Sequence, residues 1–491
     1  MPNAPVIVMG AGPAGLTAAY ELSKAGVRSL VLEQDDVVGG ISRTVNYKGY
    51  RYDIGGHRFF TKVKPVEQFW DEILGDQMLD RPRLSRIFYK KKFFSYPLKP
   101  ANALFGLGLW ETTRCMLSYA RARVAPHTPE DNFETWVSNR FGKRLFEIFF
   151  KTYTEKVWGI PCSEIQAEWA AQRIKGLSLT TAIKNALIGE RAKNKGEVIK
   201  TLIDEFRYPI HGPGMMWEKT QEKLEEAGSG VHLDTKVEKV FWTPEGVTGV
   251  EAGGRRYEGD AYLSTLALRD LVEAMDPAPP ADVLAAARQL KYRDFLTVAL
   301  IINQKDIFPD TWIYIHEPQV QLGRIQNFKN WSPYMVPDPS KSCLGLEYFC
   351  FEGDELWETP DEELIRLGAK EIGELGLVDP KLVEDGSIVR MPKAYPVYDS
   401  VYPQALEKVR TFLATLPNLQ LSGRNGMHRY NNQDHSMLTA MLAARNLLGA
   451  NYDLWQVNVD QEYHEEGREV TLDDLRNVEA TQPLVPRRVG E

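Results

Sequence analysis

The 491-residue sequence predicts an α/β fold in which a discontinuous parallel-sheet domain accepts a helical insert and a second, mixed β-sheet. Three observations predict it. A short apolar strand, Val6 to Met9, passes through Gly10-Ala11-Gly12-Pro13-Ala14-Gly15 into a helix running through Leu16, Tyr20 and Leu22. Near the other end, Gly423-Arg424-Asn425-Gly426 and Asn432-Gln433-Asp434-His435-Ser436 lead into a second apolar helix over residues 437–448. Between these ends, apolar residues recur at helical spacing over 133–150 and 169–187, whereas 295–302 and 344–349 read as strands of a second sheet.

The first element is a strand–turn–helix of Rossmann type, and its glycines have separate jobs. Gly10 permits the tight turn, Gly12 lets a pyrophosphate approach the backbone, and Gly15 lets the helix pack closely on the strand. Eighteen positions after Gly15, behind the apolar run Leu30-Val31-Leu32, Glu33 stands where a carboxylate accepts hydrogen bonds from a ribose. The next segments point to FAD rather than NAD as the cofactor. Gly39-Gly40-Ile41-Ser42-Arg43-Thr44 and Tyr52-Asp53-Ile54-Gly55-Gly56-His57 supply two further glycine pairs, hence more backbone able to lie against a large flat ring. Gly40, Arg43, Gly55 and Gly56 therefore join the candidate cofactor residues, with Arg43 set to meet the phosphates or the flavin.

Residues 231–237 read as a strand whose edge backbone, at Val237, reaches the adenine. At the far end, Gly423, Arg424, Asn432, Gln433, Asp434 and Ser436 complete the cofactor set. Free N–H groups in the first turn of the late helix favour a flavin whose pyrimidine end becomes anionic. Asp434 or Ser436 also fits a plain N-cap role. His57 either hydrogen-bonds near flavin N5 or positions the Gly55-Gly56 backbone.

These elements divide the chain into an FAD-binding domain (1–65, 205–275 and 385–460), a mainly helical insert (66–204), a β-sheet substrate domain (276–384) and a charged tail (465–491). A net charge of -8 removes the electrostatic case for nucleic acid. Cys115, Cys162, Cys343 and Cys350 show no metal-ligand or redox spacing, so no metal site and a reducing cytoplasm are expected. Residues 101–110 are apolar but too short to span a bilayer; a buried helix is the expected reading, with peripheral membrane contact through this segment as the alternative.

Several further motifs occur in a fixed order. They are Gly55-Gly56-His57, then Lys156-Val157-Trp158-Gly159-Ile160-Pro161 with Trp169 and Arg173 after it, then Phe206-Arg207-Tyr208-Pro209. Trp312-x-Tyr314 with Arg324, Tyr395-Pro396, Gly423-Arg424, Arg429-Tyr430 and the segment 432–436 follow. This run resembles the flavin-dependent UDP-galactopyranose mutases, particularly the eukaryotic type, within the wider amine-oxidase and protoporphyrinogen-oxidase-like FAD superfamily. The resemblance implies a small-molecule substrate, a nucleoside-diphosphate sugar, held by Tyr96, Trp158, Arg173, Trp312, Tyr314, Arg324, Tyr395 and Tyr430. It implies His57, Arg173 and Arg324 as catalytic residues and NAD(P)H as a candidate reductant. The implied reaction uses N5 of the reduced flavin as nucleophile on the anomeric carbon, with no net redox change.

The residue types also make physical sense without the family. Two phosphates need fixed cations, and Arg offers planar paired donors where Lys offers a point charge. A tyrosine can donate its hydroxyl to phosphate while its ring faces sugar or base, although each aromatic taken singly also fits core packing. The alternative reading is an FAD oxidase or dehydrogenase of the amine-oxidase or protoporphyrinogen-oxidase type, taking hydride from a small or lipophilic substrate. Such an enzyme is expected to line its site with an apolar tunnel instead of cations.

Overall fold

The computed structural model describes residues 4–96, 98, 100–167 and 205–457. The strand Val6–Met9 is wholly buried because all four residues are apolar and lie at the centre of a five-stranded parallel sheet. Its neighbours are Ser29–Leu32 and Ala261–Ser264, and the edges are Gly230–His232 and Leu419–Leu421. One sheet thus draws strands from the start, the middle and the end of the chain.

Helix Pro13–Lys24 opens on a proline, whose missing N–H is no loss in a first turn, and buries Leu16, Ala18 and Ala19. The late helix Gln433–Leu447 places Met437, Ala440, Met441 and Ala444 in the same core. It starts at Gln433 rather than at 437, because its first turn is polar and invisible to apolar periodicity. Its N-cap is Asn432, not Asp434 or Ser436, and the Asn432 N–H donates to His435 Nδ1 at 3.4 Å.

A seven-stranded mixed sheet runs in the order Val383–Pro396, Tyr292–Ile302, Ser342–Cys350, Arg324–Asn327, Trp312–Ile315, Ser85–Tyr89, Lys92–Ser95. Every pair is antiparallel except Trp312–Ile315 with Ser85–Tyr89. Tyr292–Ile302 and Ser342–Cys350 are buried at every position, as their mainly apolar sequences favour, and the polar residues among them, Arg293, Asp294, Thr297, Ser342 and Glu347, are buried as well. Val383–Pro396 pairs here, beside Tyr292–Ile302, although most of it falls in a segment expected to serve the parallel sheet. Ser85–Tyr89 and Lys92–Ser95 give the start of segment 66–204 two strands ahead of most of its helices. Both outcomes come from pairing with strands remote in sequence, which local periodicity does not record.

Helices do fill much of that segment: Leu109–Val124, Phe133–Phe141, Lys143–Phe146 and Thr152–Trp158, the last two joined by a π-helical turn, Glu147–Lys151. The expected helix 169–187, with Trp169 and Arg173, and the tail 465–491 lie outside the described residues. The expected strand 231–237 is broken. Asp234 takes a left-handed φ of 49°, and Val237 opens a separate sheet in which Val237–Thr243 pairs with Gly246–Ala252. The expectation of one buried helix over 101–110 also fails: Pro100–Leu107 stops before Gly108, whose φ of 85° turns the chain, and Leu109 and Trp110 are exposed.

Candidate functional site

The fingerprint loop holds two kinds of glycine. A Cβ at Gly15 would stand 1.9 Å from the Gly10 carbonyl oxygen, so helix and turn are in direct contact. A Cβ at Gly12 would meet nothing within 4 Å, so the space above it is an open cradle. Gly12 is also the N-cap of Pro13–Lys24 and offers no side chain to the first N–H groups, which suits them to an anion.

Glu33 closes one side of the cradle. Its Oε2 accepts the Ala11 N–H at 2.6 Å and its Oε1 the Asp35 N–H at 3.0 Å, while burial pushes its carboxyl up. The second glycine pair lies against the first, since the Gly39 N–H donates to the Ala11 carbonyl at 2.9 Å and a Cβ at Gly40 would sit 3.4 Å from Gly12 Cα. Arg43 is paired with Asp35, and so brings no net charge to this spot. Gly423 arrives from the far end of the chain: a Cβ there would stand 3.0 Å from that of Ala14. The two ends converge on one loop. Val237 lies beyond the broken strand, at the start of the separate sheet.

The loop Gly55-Gly56-His57 lies against the second sheet. Gly55 has a φ of 85°, and a Cβ at Gly56 would lie 2.9 Å from Gln326 Nε2. Burial, then the charges of Arg424 and Arg324, push the His57 imidazole down to about 3, so it is neutral near pH 7. Thr61 Oγ1 donates to Asp434 Oδ2 at 3.2 Å, tying the chain after His57 to the first turn of the late helix. In that turn, both amide atoms of Gln433 are buried with no hydrogen-bond partner. An unsatisfied buried amide is costly. That amide and the open cradle at Gly12 are what a bound FAD would fill, and the residues present fit the group.

An aromatic cluster surrounds Arg424. Tyr395 and Tyr430 stack with centroids 5.5 Å apart and planes within 9°. The Arg424 guanidinium lies 5.2 and 5.0 Å from their rings, held by the carbonyls of Asn431 and Ala394 at 3.0 Å each. Trp158 sits 6.1 Å from Tyr430 and 6.4 Å from Tyr395. Burial, then the neighbouring Tyr430, push the Tyr395 hydroxyl up to about 12, which leaves it a donor at neutral pH. A second aromatic group joins Tyr314 to Tyr96 at 4.5 Å and to Tyr153 at 5.3 Å, while Trp312 stacks on Trp331. The Arg83 guanidinium lies 5.7 Å from the Tyr96 ring and 5.6 Å from Trp312.

Arg324 departs from the expected picture of a lone cation. Its Nε and Nη2 both donate to Glu347 Oε2, at 2.8 and 2.5 Å, and Gln326 Nε2 donates to Glu347 Oε1 at 2.8 Å. The cause is register: Arg324 directly opposes Glu347 across two antiparallel strands. Glu347 was legible as a charge inside an apolar run, but its partner was not. Arg83 and Tyr153 carried no comparable signal.

Residues 13–448 match the model of the family described as flavin containing amine oxidoreductase. The chain belongs to that family. Relatives of this chain include a probable UDP-galactopyranose mutase of Klebsiella pneumoniae, 26% identical over 34% of this chain and 44% of that protein. An inactive all-trans-retinol 13,14-reductase of Danio rerio is 49% identical over 11% of this chain and 9% of its own. The chain thus spans less than half the length of these curated relatives.

Among solved structures, a reduced UDP-galactopyranose mutase gives a TM-score of 0.80 at 23% identity, over 91% of this chain and 96% of that one. A putative protoporphyrinogen oxidase from Exiguobacterium gives 0.67 at 17%, over 91% and 98%. A putrescine oxidase mutant gives 0.60 at 17%, over 91% and 99%. These likenesses show the fold, and the family makes FAD the cofactor of this enzyme. Among the described residues, no helix is long and apolar enough to cross a membrane.

Proposed function

We propose that this amine oxidoreductase family member is a flavin-dependent mutase that interconverts ring forms of a nucleoside-diphosphate sugar. The observation that carries the reading is the Tyr395–Tyr430 stack beneath Arg424, a wall of phenol donors and a fixed guanidinium where an apolar tunnel would suit hydride abstraction. The partial sequence likeness to a mutase and the fold likeness to another support it.

When bound and reduced, FAD supplies a nucleophilic nitrogen and takes no net electrons from the substrate. The chain's own residues do the rest. The Gly12 backbone and the first N–H groups of Pro13–Lys24 hold the cofactor phosphates, Glu33 its ribose, and the Gln433 amide its ring. Tyr395 Oη keeps its proton and donates it as a hydrogen bond to a substrate phosphate oxygen, with Arg424 beside it. Trp158 walls the sugar, while Tyr96, Tyr314 and Trp312 offer flat faces to the nucleotide. His57, neutral, sits by Arg324 and Arg424 without adding charge.

A second reading, an FAD-dependent oxidoreductase, draws on the Arg324–Glu347 pair, which leaves the site with less positive charge than a diphosphate calls for. Anaerobic incubation of dithionite-reduced holoenzyme with UDP-, dTDP- and GDP-sugars, followed by chromatography of the ring isomers, separates the two. The mutase reading expects an isomer while the flavin spectrum stays reduced. It is wrong if no sugar nucleotide isomerises and the oxidised enzyme instead bleaches with an amine or a lipophilic donor.

A further inference from the structure

Helix Leu109–Val124 presents two unlike faces. Cys115 and Ala122 are buried, whereas Leu109, Trp110, Leu117 and Val124 are 90, 77, 67 and 87% exposed. At about 100° per residue these four share, with Met116 and Ala120, a single arc of roughly 120°. Soluble surfaces scatter large apolar side chains singly, and a contiguous stripe of them marks an interaction site.

Charge decides what the stripe meets. Exposed Arg114 and Arg121 border the arc on one side and exposed Arg123 on the other. The helix has one acidic residue, Glu111, which binds Arg144 through Oε1 and lies 3.5 Å from Arg114 through Oε2, so that Arg121 and Arg123 carry most of the positive charge along the arc. The hairpin tip at Lys90 and Lys91 adds exposed cations beside the helix start, since Lys92 Nζ reaches back to the Gly106 carbonyl at 2.9 Å. This is a local positive cluster on a chain of net charge -8. A second copy is a poor match, because a two-fold contact through this face would set the arginines of one copy against those of the other. An apolar stripe with a terminal Trp and basic borders has instead the make-up of a helix lying in the interface of an anionic bilayer.

We propose that helix Leu109–Val124 seats the protein on an anionic lipid surface. Leu109, Trp110, Leu117 and Val124 enter the acyl boundary, and Arg114, Arg121, Arg123 and the hairpin lysines meet the lipid phosphates. The proposal is independent of the substrate.

FAD-loaded protein sedimented with vesicles of phosphatidylcholine, alone or mixed with phosphatidylglycerol, tests it. Binding is expected on the mixed vesicles, about tenfold or more weaker on phosphatidylcholine alone, and weakened by salt. The double variant Trp110→Ser/Leu117→Ser should lose binding to both, and the triple variant Arg114→Gln/Arg121→Gln/Arg123→Gln should lose only the preference for the anionic lipid. All five positions are exposed, and unchanged flavin absorbance reports that each variant is folded. The proposal is overturned if wild type stays in the supernatant with both vesicles, or if the variants sediment as wild type does. It is equally overturned if analytical ultracentrifugation without lipid shows a wild-type dimer that Trp110→Ser/Leu117→Ser dissociates, which assigns the face to a second copy.

Discussion

Gly12 and Gly15 share one loop but should fail in different ways. Gly12 has an ordinary φ of -73° and open space where a side chain would go, so Gly12→Val is compatible with the fold and blocks the cradle. The purified variant is expected to be folded and colourless; a fully yellow Gly12→Val protein would remove the phosphate assignment. At Gly15 the obstacle is a backbone oxygen that cannot rotate away, so Gly15→Ala should lose on the order of 1–3 kcal/mol or more in urea unfolding. Arg324 needs similar care. Arg324→Ala leaves Glu347, 0% exposed, as an unpaired buried charge, and is expected to cost about 3–5 kcal/mol of stability whatever the enzyme's substrate. Arg324→Gln/Glu347→Gln, which removes both charges together, should restore most of that loss. Activity lost in the first variant and regained in the second would assign the pair a structural role.

At the scale of elements, what the sequence revealed was what a local pattern can encode. The buried strands Tyr292–Ile302 and Ser342–Cys350 and the first glycine turn were legible because apolar runs and glycine spacing are local. The Asn432 cap, the break at Asp234 and the Arg324–Glu347 register were not, because each depends on a partner that no periodicity names. Asp53 belongs to the second kind. It ends the strand Tyr50–Asp53 as a fully buried carboxyl, accepting hydrogen bonds from Tyr208 Oη at 2.5 Å and Thr44 Oγ1 at 3.1 Å. Burial outweighs both bonds and pushes it up from 3.8 to about 8. The folded chain therefore keeps a proton that the unfolded chain sheds. This stabilising contribution is complete below the unfolded value of 3.8 and is lost as pH rises through about 8. Asp53→Asn is neutral throughout. The difference in urea-unfolding free energy between wild type and Asp53→Asn should move against wild type by about a few kcal/mol over that window. A pH-independent difference would mean that the carboxyl is ionised in the fold.

Over the whole molecule, the parallel sheet takes strands from stretches as far apart as Val6–Met9, Gly230–His232 and Leu419–Leu421, and the proposed FAD contacts follow the first two strands of the chain and the last. That convergence was foreseeable, because glycine-rich turns at both ends of the chain have no use apart unless one large ligand spans them. The ligand should then act as a fastener between segments that the chain itself joins only through long insertions. A ligand that binds the folded state alone stabilises it by about 2.7 kcal/mol at a free concentration near one hundred times its Kd. Apoprotein made by stripping FAD is therefore expected to melt a few degrees lower than holoenzyme, with the loss reversed in proportion to the logarithm of added FAD. Gly12→Val should melt with the apoprotein and show no response to FAD. If stripped wild type melted with the holoenzyme, or if Gly12→Val rose with FAD as wild type does, the loop at Gly12 would not be where the cofactor phosphates rest.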